Sequence, residues 1–451
     1  MFFLLKMFEI IFYALLGSLS GIVTGLIPGI GPAQLLAIAY VALLALDPLQ
    51  LAVFYVGLIT TSQYLDSVPA TYFGVPGEVS AVPASYEGPR LMSRGLGQQS
   101  IRMTAIGRVI ASLVAVALGV ALLSVILQST WVFKNNVQLT LLMMAVIGVA
   151  VTSQCNWWRT AIAMTLGYAV GKVGFDYTIN RDIMTFGIPQ LQEGLPLLAV
   201  LMGIYVIPLL LMELVKSIRL EASAVPQQTQ QIEIGPYVPT ILRSSVLGWF
   251  LGLIPGLSYI LSATGCYAYE KWRRIRQKLY QPGDMHSMVA AETGNTSGAF
   301  STLIPLMIFG IPITISEVIL YNLMLITGAD FSRGTFLMAN YDWLLFSFLL
   351  ANVLGLIFCW PLAMRMAGWV SKINLRVSWI AIITVVSLCV IWQGYYNQML
   401  LLYLIVFAIM ILIGLTCIRY KIDLLPVLFV FLLQSNIDQA VFNLWQIYFK
   451  G

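Results

Sequence analysis

Apolar runs interrupted again and again by glycine and proline fill nearly all of this 451-residue chain. A transmembrane helix needs about 20 predominantly apolar residues, and several of these runs reach that length. The composition agrees, because 59% of the residues are hydrophobic and only 10% are charged, unlike a soluble globular protein. The sequence therefore predicts an all-α, multi-pass integral membrane protein. It excludes a soluble enzyme and a nucleic-acid-binding protein.

Lysine and arginine concentrate in five short segments, which the positive-inside rule places in the cytoplasm. The first segment holds Arg90, Arg94, Arg102 and Arg108, and the third covers residues 271–278. Even numbers of apolar runs separate the first segment from the second and the fourth from the fifth, as this placement requires. We expect about ten crossings plus two hairpins.

The stretch between the second and third basic segments is too short for two spans. It offers about 26 apolar residues from Ser244 onward, and a single crossing would leave one basic segment outside. We predict a re-entrant hairpin that turns at Pro255 and Gly256. Arms of about 12 residues would each reach about 18 Å, roughly half of the 30 Å hydrocarbon core.

Two pairs of similar segments indicate an internal duplication. Gly-Leu-Ile-Pro-Gly occurs at residues 25–29 and again at 252–256, and Gly-Val-Pro at 74–76 corresponds to Gly-Ile-Pro at 310–312. Each half then contains an odd number of net crossings, so the second half would be inverted relative to the first. Inverted repeats with glycine- or proline-interrupted segments are typical of secondary transporters. The alternative is a chance likeness between two apolar stretches.

This interpretation divides the chain into three parts. The first membrane repeat would cover residues 1–215, a cytoplasmic linker 216–243, and the second membrane repeat 244–451. The predicted fold is therefore two inverted-topology repeats, each with a broken or re-entrant helical hairpin.

The interrupted segments 62–88 and 290–317 are the candidate binding site. We expect unwound backbone near residues 67–77 and 295–297, where free backbone groups can replace the hydration shell of an ion or a carboxylate. An ionisable residue in the membrane is a functional candidate by default. Asp66 and Glu292 are the predicted ligands of a coupling cation, Na⁺ or H⁺, and Glu78 is a further candidate. The predicted substrate-binding residues are Pro28, Gly29, Gly31, Ser67, Thr71, Gly74, Pro76, Gly77, Pro255, Gly256, Asn295, Thr296, Ser297, Gly310 and Pro312. Alternatively, the small residues only allow close helix packing.

Other chemistries find little support in the sequence. The chain has a single histidine, His286, five scattered cysteines and no phosphate-binding loop, so we expect no enzyme activity, no metal site and no cofactor beyond the coupling ion. Three rivals stay open: a channel, an intramembrane enzyme, and a scaffold in which the polar clusters only pack helices.

Several motifs in fixed order resemble a known family. They are G-x-x-P-G-x-G-P around Pro28, P-G-E from Pro76, T-F-G-I-P-x-L-x-x-G from Thr185, L-I-P-G from Leu253, Ala-Ala-Glu ending at Glu292 with Asn295 following, and L-I-P-L-x-x-x-G-I-P from Leu303. Together they resemble the large membrane subunit of the tripartite tricarboxylate transporters, the TctA family.

The resemblance implies a permease of the bacterial inner membrane that imports a small organic anion, a di- or tricarboxylate such as citrate. It implies two partners, a small TctB-like membrane subunit and a periplasmic TctC-like solute-binding protein, and an ion gradient as the driving force. The chain departs from the family pattern at Leu65-Asp66-Ser67, at Gly74-Val75 and at Thr296. Because these changes lie in the predicted site, a divergent permease for another small solute is the alternative.

Overall fold

The computed structural model describes residues 2–27, 31–74, 78–128, 155–176, 181–216, 233–254, 259–331, 334–370 and 375–424, with isolated residues between 140 and 153 and between 426 and 442. The chain forms two compact units. The first contains Met1–Leu35, Leu43–Lys134 and Ile218–Leu375, and the second contains Leu36–Ala42, Asn135–Ser217 and Arg376–Gly451. Each unit draws on both halves of the sequence. The division into repeats stays a prediction.

The described secondary structure is almost entirely helical, as predicted. In chain order the helices are α1 Phe2–Leu26, α2 Pro32–Ile38, α3 Tyr40–Leu43, α4 Pro48–Phe73, α5 Val82–Ser93, α6 Gly97–Gln128, α7 Trp157–Gly171, α8 Leu197–Leu201, α9 Ile207–Lys216, α10 Val238–Leu253, α11 Tyr259–Arg276, α12 Met285–Phe309, α13 Ile315–Ile326, α14 Thr335–Val370, α15 Leu375–Tyr396 and α16 Leu400–Arg419.

Five of the described helices are long and apolar enough to cross a membrane. Their apolar stretches are Leu4–Leu26, Gly97–Leu123, Thr335–Cys359, Trp379–Tyr396 and Leu400–Arg419. These lengths and compositions support a multi-pass membrane protein.

Helices α4 and α12 form the centre of the first unit. Residues 51–71 of α4 and 287–308 of α12 are buried without interruption, so neighbouring segments surround both helices on every side. Each helix begins after an aspartate whose carboxylate accepts a hydrogen bond from the backbone N–H three residues later, Asp47 in α4 and Asp284 in α12. Such N-caps satisfy a donor that the first helical turn leaves free.

The two helices also end alike. Pro69 lies five residues before the cap Gly74 of α4, and Pro305 lies five residues before the cap Gly310 of α12. Both glycines are left-handed, with φ of 67° and 64°, a conformation that glycine adopts without a Cβ clash. The Gly-x-Pro sequences therefore end two matched helices at the places where the sequence predicts interruptions.

Glycines bring one neighbouring helix close to each of these two helices. On α1, a Cβ at Gly17 or Gly21 would come within 2.0 or 2.6 Å of a backbone carbonyl oxygen of α4. On α10, a Cβ at Gly248 or Gly252 would come within 2.4 or 2.5 Å of atoms of α12. Small residues four apart are the usual means of close helix packing in membranes, so the backbones here nearly touch.

Helices α10 and α11 pack against each other as the two arms of a hairpin, in which the Ser262 hydroxyl donates to the Gly248 carbonyl at 2.9 Å. That this hairpin is re-entrant in a membrane stays a prediction. The arms are 16 and 18 residues long, about 24 and 27 Å at 1.5 Å per residue, so the predicted arm length of about 12 residues is wrong. The first arm begins inside the predicted linker, with Pro239 in its first turn. The second continues through lysine and arginine, which are good helix formers.

Glu87 ties α5 to the segment that follows the hairpin. Its buried carboxylate accepts hydrogen bonds from the hydroxyls of Tyr267 and Tyr280 at 2.7 and 3.0 Å. The backbone N–H groups of Gly283 and Asp284 donate to its other oxygen at 2.6 and 3.1 Å. Four donors on one carboxylate compensate the cost of burying its charge.

The second unit departs from the all-helical prediction at one place. Strands β1 Gly174–Asp176 and β2 Arg181–Ile183 pair antiparallel, with Phe175 opposite Asp182. A π-helical turn over Met202–Val206 joins α8 to α9, just before Pro208, which has no N–H to donate to the preceding turn.

Candidate functional site

A buried arginine lies among three helices of the first unit. Arg108 in α6, Asp66 in α4 and Glu292 in α12 are at most 1% exposed. The guanidinium of Arg108 forms a direct ion pair with Glu292, and its Nη2 lies 3.6 Å from Asp66 Oδ1. We call these three residues the charged cluster.

Hydroxyl groups complete the surroundings of the charged cluster. Arg108 donates to the hydroxyls of Thr296 and Ser67 at 3.1 and 3.4 Å. The hydroxyls of Ser67 and Ser80 in turn donate to the Asp66 carboxylate at 3.2 and 3.4 Å. Groups from α4 and α12 thus meet at one guanidinium, and Ser80, from the segment after Gly74, supports the Asp66 carboxylate.

The charged cluster contains one cation and two anions. With all three groups ionised its net charge is −1, and an uncompensated buried charge is costly because water is absent. One further positive charge, a proton or a bound monovalent cation, would neutralise the cluster. This is the electrostatic property expected of a coupling site.

Several predicted site residues carry polar atoms that lack a hydrogen-bond partner among the described residues. They are both amide atoms of Asn295, the hydroxyls of Ser297 and Thr71, and Oε1 of Glu292, and all belong to buried side chains. Buried polar atoms are nearly always paired, so unpaired ones indicate where a ligand or water can bind.

Asn295 lies on the same side of α12 as Met288. It follows Met288 by seven residues, about two helical turns, so the two side chains share a face. Met288 packs in one apolar cluster with Ala70, Ala81 and Ala84, on either side of the break after Gly74.

The breaks after α4 and α12 are each followed by a further carboxylate, the half-buried Glu78 and the buried Glu317. After α12, Glu317 accepts hydrogen bonds from the backbone N–H groups of Ile313 and Thr314 at 2.7 and 3.0 Å. After α4, the Tyr259 hydroxyl donates to Glu78. One oxygen of each carboxylate has no partner among the described residues. The sequence indicated Glu78 as a candidate but not Glu317 or Tyr259.

The structure brings Asp66, Ser67, Glu292 and Thr296 together and buries the other polar candidates nearby. Among the remaining candidates, Gly31 donates its N–H to Gln34 at 3.0 Å, Gly74 and Gly310 are helix caps, and Pro312 is buried between α12 and α13. Candidates outside the described residues are Pro28, Gly29, Pro76, Gly77, Pro255 and Gly256.

Two expectations about this region are wrong. Ser67 and the stretch from Asn295 to Ser297 are helical, not unwound. Both stretches are buried within the packed helices, where a helix satisfies its own backbone N–H and C=O groups. Arg108 is not in a cytoplasmic loop but inside α6, where two carboxylates compensate its charge. Two acidic residues in apolar surroundings were a signal that compensating positive charge lies near them.

The fold and this site define a multi-pass helical membrane protein with a charged, buried site between two matched helices. The chain belongs to the tripartite tricarboxylate transporter TctA family, whose sequence model matches residues 11–429. This confirms the resemblance seen in the motifs. By its description this is a family of transporters.

Two other proteins are similar to this chain over much of its length. An uncharacterised 52.8 kDa protein in the TAR-I ttuC′ 3′ region of Agrobacterium vitis is 24% identical over 314 residues, which are 67% of this chain and 61% of that protein. An uncharacterised protein of Methanocaldococcus jannaschii is 21% identical over 427 residues, 91% of this chain and 94% of that protein. No solved structure matches the chain.

Proposed function

We propose that this protein is the permease subunit of a secondary transporter that imports a small organic anion, a di- or tricarboxylate such as citrate, across the bacterial inner membrane. A TctC-like solute-binding protein would deliver the acid, and a TctB-like membrane subunit would complete the complex. The observation that carries the proposal is the charged cluster beside the unpaired amide of Asn295, enclosed between α4 and α12.

The polar groups around the cluster suit a carboxylate ligand. The amide N–H₂ of Asn295 and the hydroxyls of Ser297 and Thr71 are free to donate, and carboxylate oxygens accept several such bonds. A site of this kind takes up a small acid and encloses it, which is what a permease requires.

The likeness of α4 and α12 supports the two-repeat part of the proposal. Both are buried along their length, carry an aspartate N-cap and an internal proline, end at a left-handed glycine, and pack against a glycine-containing helix. In transporters built from inverted repeats, such paired interrupted helices enclose the substrate site near the bilayer midplane.

The proposed driving force follows from the charge of the cluster. Because Asp66 and Glu292 share one arginine, a Na⁺ ion or a proton that enters with the substrate would neutralise the remaining charge. An inward gradient of that cation would then drive accumulation of the acid.

The test is uptake of a panel of radiolabelled di- and tricarboxylates into proteoliposomes, with the candidate partner subunits and an imposed Na⁺ or pH gradient. Asn295→Ala and Glu292→Ala should each abolish gradient-driven uptake and leave membrane insertion unchanged. The exposed residues Gln277 and Glu233 offer matched controls, and Gln277→Ala and Glu233→Ala should transport normally. Full uptake by both site variants would show that the site is wrongly assigned.

A further inference from the structure

Arg108 carries a charge that the proposed transport cycle can use. Among the residues whose burial the structure describes, it is the only arginine or lysine that is fully buried. An anionic substrate that enters a low-dielectric interior needs an opposite charge there. A guanidinium is the side chain best matched to a carboxylate, since two of its N–H groups can bind both oxygens at once.

We propose that Arg108 binds the carboxylate of the substrate, and that Glu292 and Asp66 hold its guanidinium until the coupling cation or proton reaches them. This inference rests on the proposed function. It assigns to the site an order of binding, in which the cation comes first and the acid second.

The contacts of Arg108 explain why the order matters. Its Nη1 donates to Thr296, and its Nη2 faces both Glu292 and Asp66. With both carboxylates ionised, the cluster has a net charge of −1 and repels an anion, and the guanidinium is already engaged. One added positive charge makes the cluster neutral, so that a substrate carboxylate can replace Glu292 as the partner of Arg108.

Neighbouring groups are placed to assist the exchange. Asn295 lies three residues after Glu292, so the two side chains are neighbours on α12. The Asn295 amide and Glu292 Oε1 both lack partners among the described residues. A carboxylate held by Arg108 could accept a second hydrogen bond from Asn295, while Glu292 and Asp66 hold the cation with their oxygens.

A purely structural ion pair would hold α4, α6 and α12 together without affecting how the cation controls substrate binding. The readout that separates the two roles is therefore the cation dependence of substrate affinity. We expect the Kd of the wild-type protein for the transported acid to fall about tenfold for each tenfold rise in cation concentration below saturation, as linkage to one cation requires.

The experiment measures equilibrium binding of the radiolabelled acids of the panel to the purified full chain over a range of Na⁺ concentration and pH. Glu292→Gln removes one negative charge, so it should bind the acid with a Kd that changes less than about twofold over the cation range that shifts the wild type, because linkage at this carboxylate is lost. Arg108→Lys should weaken binding, because lysine lacks the bidentate geometry.

Loss of the guanidinium needs a control for folding, because Arg108→Gln alone leaves two buried carboxylates without a counter-charge. The double variant Arg108→Gln/Glu292→Gln has the same net cluster charge as the wild type. We expect it to bind the acid on the order of 30-fold or more weakly than Glu292→Gln. Arg276→Gln, at an exposed arginine stacked on Trp272, should bind as the wild type does.

The possible outcomes separate the two proposals. If the wild type binds no acid of the panel, the proposed function is wrong and the inference falls with it. If the wild type binds an acid and the double variant binds it as tightly as Glu292→Gln does, only the inference is wrong. A cation dependence in Glu292→Gln as steep as that of the wild type would also overturn it.

Discussion

Gly248 lies where α10 comes closest to α12, and replacing it with alanine tests that contact. A Cβ at this position would lie 2.4 Å from the carbonyl oxygen and 2.5 Å from the Cα of Gly294. Ordinary contact begins near 3.4 Å, so the two backbones must separate by about 1 Å. Both atoms belong to the backbone, and no change of side-chain rotamer can relieve the clash.

The expected cost follows from this geometry. Overpacking of a close interface costs about 1 to 3 kcal/mol, while alanine in a helix gains up to about 1 kcal/mol over glycine. Gly265→Ala in α11 gains the same helix propensity, but its Cβ would meet only the end of the flexible Leu251 side chain. Relative to Gly265→Ala, Gly248→Ala should therefore lose about 1 to 3 kcal/mol of unfolding free energy.

Reversible unfolding of the purified protein in mixed detergent and SDS micelles measures both variants on one scale. Uptake into proteoliposomes should also decrease in Gly248→Ala, because displacement of α12 moves Glu292 away from Arg108. If Gly248→Ala is as stable as Gly265→Ala, the close contact between α10 and α12 does not exist.

Three further changes test other parts of the structure by thermal melting in detergent. Gly310→Ala should cost about 1 to 2 kcal/mol, because φ is positive there, and an unchanged melting temperature would contradict the cap. Tyr64→Phe removes a hydroxyl that donates to Asn352 at 3.0 Å and should cost about 0.5 to 1.5 kcal/mol. Glu87→Ala leaves four donors without their acceptor and should give no yield of folded protein, whereas Glu233→Ala at an exposed site should give the wild-type yield. Equal yields of the two variants would refute the role of Glu87.

The ends of the central helices could be predicted from the sequence because their causes are local. Gly74 and Gly310 each precede a Val-Pro or Ile-Pro pair, and a helix normally ends before such a pattern. Asp66 and Glu292 could be recognised as candidates for a similar reason, since a carboxylate within an apolar stretch needs a special explanation.

Arg108 could not be found in the same way, because its role depends on partners far away in the sequence. Asp66 lies in α4 and Glu292 in α12, and no pattern within α6 reveals either contact. The positive-inside rule considers only the charge of an arginine and assigned it to the cytoplasmic surface. Likewise, Asn295 and Thr296 suggested unwound backbone, whereas tertiary packing keeps them helical.

We propose above all that this protein uses a cation gradient to accumulate a small organic acid. The most direct measurement is the ratio of internal to external radiolabelled acid in proteoliposomes, at steady state, with an inward Na⁺ or proton gradient. We expect a ratio above the equilibrium value for at least one di- or tricarboxylate, which collapses when the gradient is dissipated. A ratio that only reaches equilibrium, whatever the gradient, would contradict it and favour a channel.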